Sequence, residues 1–288
     1  MTIYNLSAIT STGYPYASIE VKEQPRGIEL FLRFFDFTNT KEISVEPLDP
    51  ESSFDLNAGL ISALFEFARN MDKRIKTLEF KSKESDDSLD FSKKPRKYEG
   101  DVLITLQTET YLLDKSVREK VKLIYDAIIS YKIPLESAQQ LGRKERKKII
   151  DILTDVSAKA KISKNIGEIK LLAEDFLDSM KDYGLDSIVI TSFDLSPIRV
   201  FGDTYSFDDV EIILRNVGKI PDIDPLQWKY RQSFHEGKQT WVYLINSGVG
   251  VTVERLFEPY FYLMIARPDS YLGEFPAKLA RSFNLVLG

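Results

Sequence analysis

The chain has 288 residues, of which 43% are hydrophobic and 29% charged, as expected of a folded protein with one large or two medium domains. Its net charge of -5 argues against nucleic acid as the main partner, and no apolar run reaches the roughly 18 residues of a membrane-spanning helix. The absence of cysteine excludes disulfides, thiol catalysis and cysteine-bound zinc.

The first block of the chain is predicted to combine strands with two helices. IYNLSAITSTGYPYASIEV, at 3–21, predicts a hairpin with its turn at STGYP, and a third extended run lies at 27–37. The segment FDLNAGLISALFEFARNM, at 54–71, has apolar residues at helical spacing and predicts an amphipathic helix. KTLEFKS then predicts a short strand, residues 101–113 the return strand, and residues 117–129 a closing helix.

The polar segment ESAQQLGRKERKK separates this block from a second one of similar size. We therefore predict domains at 1–134 and 165–288, with a linker and connecting helix at 135–164. The element order predicted for the second block is α-β-β-α-β-β-β-α, with Gly184 ending its amphipathic first helix. The expected fold class is α+β of the α/β sandwich type, in which each domain is a mainly antiparallel sheet flanked by helices.

The sequence offers no arrangement suited to catalysis. His235 is the only histidine, so a triad or histidine metal site lacks partners. The acidic run at 86–90 lacks the glycine and terminal glutamate of a calcium loop, and SGVGV at 247–251 precedes a strand rather than a helix. We therefore expect a protein that is not an enzyme, with no catalytic residue, metal or cofactor. The N-terminus shows no secretory signal, which favours the cytoplasm.

Five aromatic residues are predicted to face one another across a single hairpin. They are Trp228, Tyr230, Phe234, Trp241 and Tyr243, on either side of a turn at HEGK. One interpretation is cross-strand packing within the core. The other is an exposed aromatic patch that binds a partner. The sequence leaves both open.

Several segments resemble the longin and roadblock/LC7 superfamily. NAGLISALFEFARNM, with Gly59, Ser62 and Ala63 at its centre, is similar to the first longin helix, and residues 117–129 resemble the longin C-terminal part. GLDSIVITSFDLSPIRVFG and YFYLMIARPDSYLGEFPAKLARSF resemble the entry and the last strand and helix of a roadblock domain. The usual Asp-x-x-Gly turn reads DLSP at 194–197, without glycine. The resemblance covers most of the chain and implies a longin-like domain followed by a roadblock-like domain, both profilin-like.

Tandem domains of this kind occur in regulators of small GTPases and in vesicle-traffic scaffolds of eukaryotes and archaea. The resemblance therefore implies a non-enzymatic regulator or scaffold that binds a small Ras-like GTPase, with promotion of nucleotide exchange as one option. It also implies homo- or hetero-oligomers formed through a sheet edge and a helix, and only indirect contact with membranes. The residues expected at the partner surface are Tyr14, Tyr16, Leu60, Leu64, Ile198, Val200, Val210 and Ile213. Two alternatives stay open: a structural adaptor of a vesicle-trafficking or membrane-associated complex, and a small-molecule-sensing module.

Overall fold

The computed structural model describes residues 2–10, 15–37, 59, 62–64, 66, 68–69, 102–132, 141–270 and 272–288. The chain divides into two compact units, one of residues 1–38 with 98–288 and one of residues 39–97. The first unit contains both sheets and runs across the boundary predicted at 135–164. Whether the two sheets form separable domains stays a prediction. The strand predicted at KTLEFKS lies outside the described residues.

Within the second unit, the described positions between 59 and 69 are helical, as the pattern of 54–71 predicted. Ala68 is buried, Leu64 is half-buried, and Glu66 and Arg69 form an exposed ion pair at 2.9 Å. The burial of Ala68 beside exposed charges agrees with an amphipathic helix.

The first sheet is antiparallel and has four described strands. They are β1 (Ile3–Thr10), β2 (Pro15–Glu20), β3 (Leu30–Asp36) and β4 (Val102–Glu109), in the order β2-β1-β4-β3. Burial alternates along β1 and β4, so one face of the sheet is apolar and buried. The opposite face is partly exposed and mixes polar side chains, such as Ser7 and Gln107, with the exposed apolar side chains of Leu32 and Phe34.

The described residues between the two sheets in sequence form four α-helices: α1 (Asp114–Ile124), α2 (Arg143–Leu153), α3 (Val156–Lys164) and α4 (Ile166–Met180). α1 buries one stripe, and the Tyr125 ring just after it stacks on Phe37 with ring centres 4.1 Å apart. Asp155, with φ of 57°, interrupts the helical conformation between α2 and α3. Gly184, with φ of 82°, ends the short turn after α4, which confirms the predicted helix stop.

The second sheet is antiparallel with five strands in the order β6-β5-β9-β8-β7. Its elements are β5 (Leu185–Thr191), β6 (Pro197–Phe201), α5 (Phe207–Val217), β7 (Trp228–His235), β8 (Lys238–Val253), β9 (Leu256–Ala266) and α6 (Phe275–Leu287). Together with α4 they follow the predicted order α-β-β-α-β-β-β-α. The two antiparallel sheets with their helices confirm the α+β class.

One strand of the second sheet differs from the prediction. The segment VGVTVERLF, which alternates like a separate strand, instead supplies the end of β8, which runs without interruption from Lys238 to Val253, and the start of β9. Its pairing with β9 shifts between Asn246 and Gly250. A Cβ atom at Gly250 would lie 1.9 Å from the Glu258 carbonyl oxygen, so glycine is what permits the strands to approach and continue there.

The main core lies on the face of the second sheet that carries α4 and α6. Its members are apolar side chains of the central strands and the two helices, such as Ile188, Tyr262, Ile169, Leu279 and Phe283. Ser206 and Asp209 form a reciprocal capping box at the start of α5, which fixes where that helix begins. No helix among the described residues is long and apolar enough to cross a membrane.

Candidate functional site

The aromatic edge, defined as Trp228, Tyr230, Phe234, Trp241 and Tyr243, lies at the margin of the second sheet. Among the described strands, β7 pairs only with β8, and Tyr230 is directly opposite Tyr243. The rings of Tyr230 and Trp241 stack with centres 4.8 Å apart and planes 9° apart. Side chains on one face of neighbouring strands are close enough for such contacts.

The aromatic edge runs from the core to the surface. Tyr243 is buried, and Trp228 and Trp241 are partly buried against the core. Tyr230 and Phe234 are 49% and 47% exposed. Each of the two interpretations of the sequence therefore holds for part of the group, with the inner rings in the core and the outer rings free to contact a partner. Large aromatic side chains contribute much of the binding energy at many protein interfaces.

Contacts with α5 hold the opposite side of β7. The Ser233 hydroxyl donates to the Ile213 carbonyl at 2.6 Å, and the Asn216 amide donates to the Phe234 carbonyl at 2.8 Å. These bonds fix the strand while Tyr230 stays exposed on the other face. A strand at a sheet margin can also pair with an added strand.

His235 takes part in a structural contact at the end of β7. Its Nε2 lies 2.9 Å from Asp209 Oδ1, and its ring meets that of Tyr205 edge-on at 5.5 Å. Hydrogen bonds from Ser206 lower the pKa of Asp209. His235 thereby ties the hairpin turn to the first turn of α5. No group of three or more histidine, aspartate or glutamate side chains in the described part of the chain is placed to hold a metal ion.

Most of the residues predicted at the partner surface are buried where the structure describes them. Tyr14 and Leu60 lie outside the described residues, and Leu64 and Val200 are half-buried. Tyr16, Ile198, Val210 and Ile213 are buried. α5 carries the last two of these on its buried stripe and contacts β6, which carries Ile198 and Val200. A fully buried side chain offers no surface to a partner in this conformation, so the exposed aromatic edge is the better candidate.

A second arrangement, the buried charge cluster, consists of Lys120, Asp155, Asp194 and Glu258. The Lys120 ammonium donates to Asp155 Oδ1 and to Asp194 Oδ2, each at 2.6 Å. All four residues are buried. Asp194 Oδ1 also accepts from the Ser192 hydroxyl at 2.8 Å. Buried charges are tolerated when paired and hydrogen-bonded, as here.

The turn DLSP that carries Asp194 departs from the glycine-containing pattern of roadblock domains. Leu195 takes φ of 75°, the left-handed conformation that glycine adopts most readily, and its side chain is fully buried. The Ser196 amide donates to Asp194 Oδ1 at 3.0 Å, which closes the turn around the carboxylate. The turn therefore holds a buried leucine in a conformation that usually favours glycine.

The members of the cluster titrate differently because their surroundings differ. Burial raises the pKa of Asp194, but Lys120 and hydrogen bonds from two serines outweigh it and bring the pKa down to about 2. For Asp155, burial outweighs the attraction of Lys120, and the pKa rises to about 6. Burial raises the pKa of Glu258 to about 7, and its Oε1 finds no hydrogen-bond partner among the described residues. Burial lowers the pKa of Lys120, but the carboxylates outweigh it and the net shift is upward.

Other polar bonds connect the first sheet with the second block of the chain. Arg215 of α5 binds Glu109 of β4 through two nitrogens, at 2.8 and 3.0 Å. The Tyr4 hydroxyl donates to the same carboxylate, and the Thr2 and Ser196 hydroxyls are hydrogen-bonded. A charged residue on an otherwise apolar helix stripe is the sequence signal for buried polar contacts of this kind. Lys120, which lies beside Val117 and Val121 on the buried stripe of α1, is an example.

The chain matches no protein-family model and no curated protein. The longin and roadblock assignment therefore stays a prediction from the sequence.

Proposed function

We propose that this protein is a non-catalytic regulator or scaffold that binds another protein through the aromatic edge. The observation that carries the proposal is the pair of exposed rings, Tyr230 and Phe234, on a strand at the sheet margin. The Tyr230 ring stacks on the partly buried ring of Trp241, so little side-chain entropy is lost when a partner covers it. An exposed apolar group on a fixed strand is suited to protein association.

The partner we propose is a small Ras-like GTPase, and this step depends on the resemblance of the sequence to longin and roadblock domains. The observed order α-β-β-α-β-β-β-α in the second block supports a roadblock-like assignment for that part. The first sheet is the proposed longin-like part. The proposed location is the cytoplasm, where small GTPases act and where a chain without cysteine needs no oxidising environment.

Regulation by binding alone requires different affinities for the states of the GTPase. A regulator that binds the nucleotide-free state most tightly shifts the equilibrium towards it and thereby promotes exchange. A scaffold or adaptor binds all states with similar affinity. The nucleotide dependence of binding therefore separates a regulator from a passive scaffold or a structural adaptor.

The test is a titration of the full chain into GTPases from the same organism in GDP-bound, GTP-bound and nucleotide-free form. We expect binding to at least one form, and we expect Tyr230→Ala to weaken it about tenfold or more, as for an aromatic interface residue. Tyr131→Ala is the matched control, because Tyr131 is 66% exposed and lies outside the aromatic edge. It should leave the affinity within about twofold.

Each failure of this titration has a separate meaning. If no GTPase binds in any nucleotide state, the proposed partner is wrong. If a GTPase binds and Tyr230→Ala has no more effect than Tyr131→Ala, the partner stands and the proposed surface is wrong.

A further inference from the structure

The buried charge cluster contains three carboxyl groups and one cation. Lys120 comes from α1, Asp155 from the break between α2 and α3, Asp194 from the β5–β6 turn and Glu258 from β9. The ammonium group is hydrogen-bonded to the two aspartates. Glu258 is buried as deeply, yet its Oε1 has no hydrogen-bond partner among the described residues. A carboxyl group in this position is accommodated more easily as the neutral acid than as an anion.

We propose that Glu258 is a proton-operated switch. Its protonation state controls how firmly α1 and the α2–α3 junction at Asp155 are held against β9. When protonated, Glu258 is neutral, and Lys120 faces only the two aspartates. When deprotonated, Glu258 adds a third negative charge to a buried cluster with one lysine. The added repulsion loosens the contacts that join these elements.

The charged groups around the cluster do not cancel this imbalance. The positive charge of Lys159 in α3 opposes the effect of burial on the pKa of Asp155. Burial lowers the pKa of Arg33 in β3, and the negative charge of Asp194 opposes that shift. The charged groups that act on Glu258 are the lysine of the cluster and these two aspartates. The glutamate therefore ionises next to one cation and two carboxylates.

The backbone also holds Glu258 in place. Gly250 of β8 lies so close to the Glu258 carbonyl that no side chain fits between them. Tyr260, the next inward residue of β9, is fully buried, and its hydroxyl has no described partner. Glu258 raises the pKa of this tyrosine as well, after the larger effect of burial. Glu258 Oε1 and the Tyr260 hydroxyl are thus two buried polar atoms of β9 without a hydrogen-bond partner among the described residues.

The direction of the pH effect follows from the upward shift in the pKa of Glu258. The pKa of Glu258 rises from 4.5 to about 7 on folding, mainly through burial. The folded state therefore binds more protons than the unfolded state between these values. Its contribution to stability is fully present below about pH 4.5 and is lost as the pH rises through about 7. Asp155, with its pKa raised to about 6, acts in the same direction over an overlapping range.

Urea denaturation of the full chain at about pH 5.5 and about pH 8.5 tests the proposal. For the wild type, the unfolding equilibrium constant should rise about 30-fold through Glu258, with a further few-fold rise through Asp155. Glu258→Gln keeps the shape of the side chain and removes its titration, so only the few-fold rise should remain. Glu168→Gln, exposed on α4, should keep the full wild-type dependence. A Glu258→Gln protein with the wild-type pH dependence would overturn the proposal.

Hydrogen exchange of the wild type at the same two pH values, corrected for intrinsic rates, needs no variant. Amides of α1 and of residues 153–156 should lose more protection at the higher pH than those of the β7–β8 hairpin, which follow only the change in global stability. An equal change across all of these segments, or no change in any of them, would show that Glu258 does not control a local contact.

Discussion

Replacing Lys120 by methionine isolates the energetic role of the buried charge cluster. Methionine keeps an unbranched side chain of similar length and removes the ammonium group. Lys120 makes 2.6 Å hydrogen bonds to Asp155 and Asp194, and all three side chains are buried. Removing one partner of a buried ion pair typically costs about 3–5 kcal/mol, because the remaining charge is left without compensation.

The loss of stability caused by Lys120→Met should depend on pH in a defined direction. Asp155 already has its pKa raised to about 6 by burial, and loss of the nearby cation removes the interaction that lowers it. Below that pH the carboxyl group takes up a proton instead of standing as an unpaired anion. The destabilisation should therefore be smaller at about pH 5 than at about pH 8.

Lys147→Met is the matched control for this variant. Lys147 is also a helical lysine paired with an aspartate, Asp151, at 2.8 Å, but the pair is exposed. Its loss should cost about 0.5 kcal/mol or less. Urea denaturation with a common slope compares the two variants. Equal costs for Lys120→Met and Lys147→Met would refute the view that the cluster stabilises the fold.

Three further predictions concern other parts of the fold. Ile213→Glu should destabilise the protein by about 3 kcal/mol or more, because Ile213 is 0% exposed, whereas Ile212→Glu, at a 40% exposed position on the same helix, should cost about 0.5 kcal/mol or less in urea denaturation. Gly250→Ala should lower the melting temperature, since its Cβ would lie 1.9 Å from the Glu258 carbonyl oxygen; an unchanged melting temperature would show that β8 and β9 separate easily. The pKa of Asp194, lowered to about 2, gives stability that is present above pH 3.8 and lost as the pH falls through about 2, so Asp194→Asn should flatten acid unfolding measured by circular dichroism.

The element order of the second block could be predicted because it depends on local periodicity. Apolar residues at helical spacing report which face of a helix is buried, as in α4 and α5, and the mostly apolar β5 is buried along almost its whole length. The continuous β8 could not be predicted, because a lone glycine in a strand pattern indicates an interruption as readily as a close approach of two strands.

Polar composition predicts the linker and connecting helix at 135–164, and the first compact unit includes this segment. Part of that segment forms α2, whose apolar residues Ile149, Ile152 and Leu153 are buried. The bond between Lys120 and Asp194 joins residues 74 positions apart in sequence. Contacts at such separations leave no local pattern, so a single sequence does not reveal them.

The candidate site was only partly predictable for a similar reason. Period-two aromatics indicated the paired strands, but the same pattern describes core and surface rings equally well. Tyr243 is buried and is hydrogen-bonded to the Leu272 backbone, whereas its cross-strand neighbour Tyr230 is 49% exposed. Leu272 is distant in sequence, so the local pattern does not show this difference. Val210 and Ile213 show the same ambiguity. An apolar helix stripe that packs within its own fold has the same sequence pattern as one that binds a partner.

Hydrogen exchange of the full chain, alone and with a saturating small GTPase in its best-bound nucleotide state, tests partner binding at the aromatic edge most directly. Amides of β7, residues 228–235, should gain protection on complex formation, and those of β6, at the opposite margin of the same sheet, should not. A bound GTPase that protects other segments and leaves β7 unchanged would contradict the proposed surface.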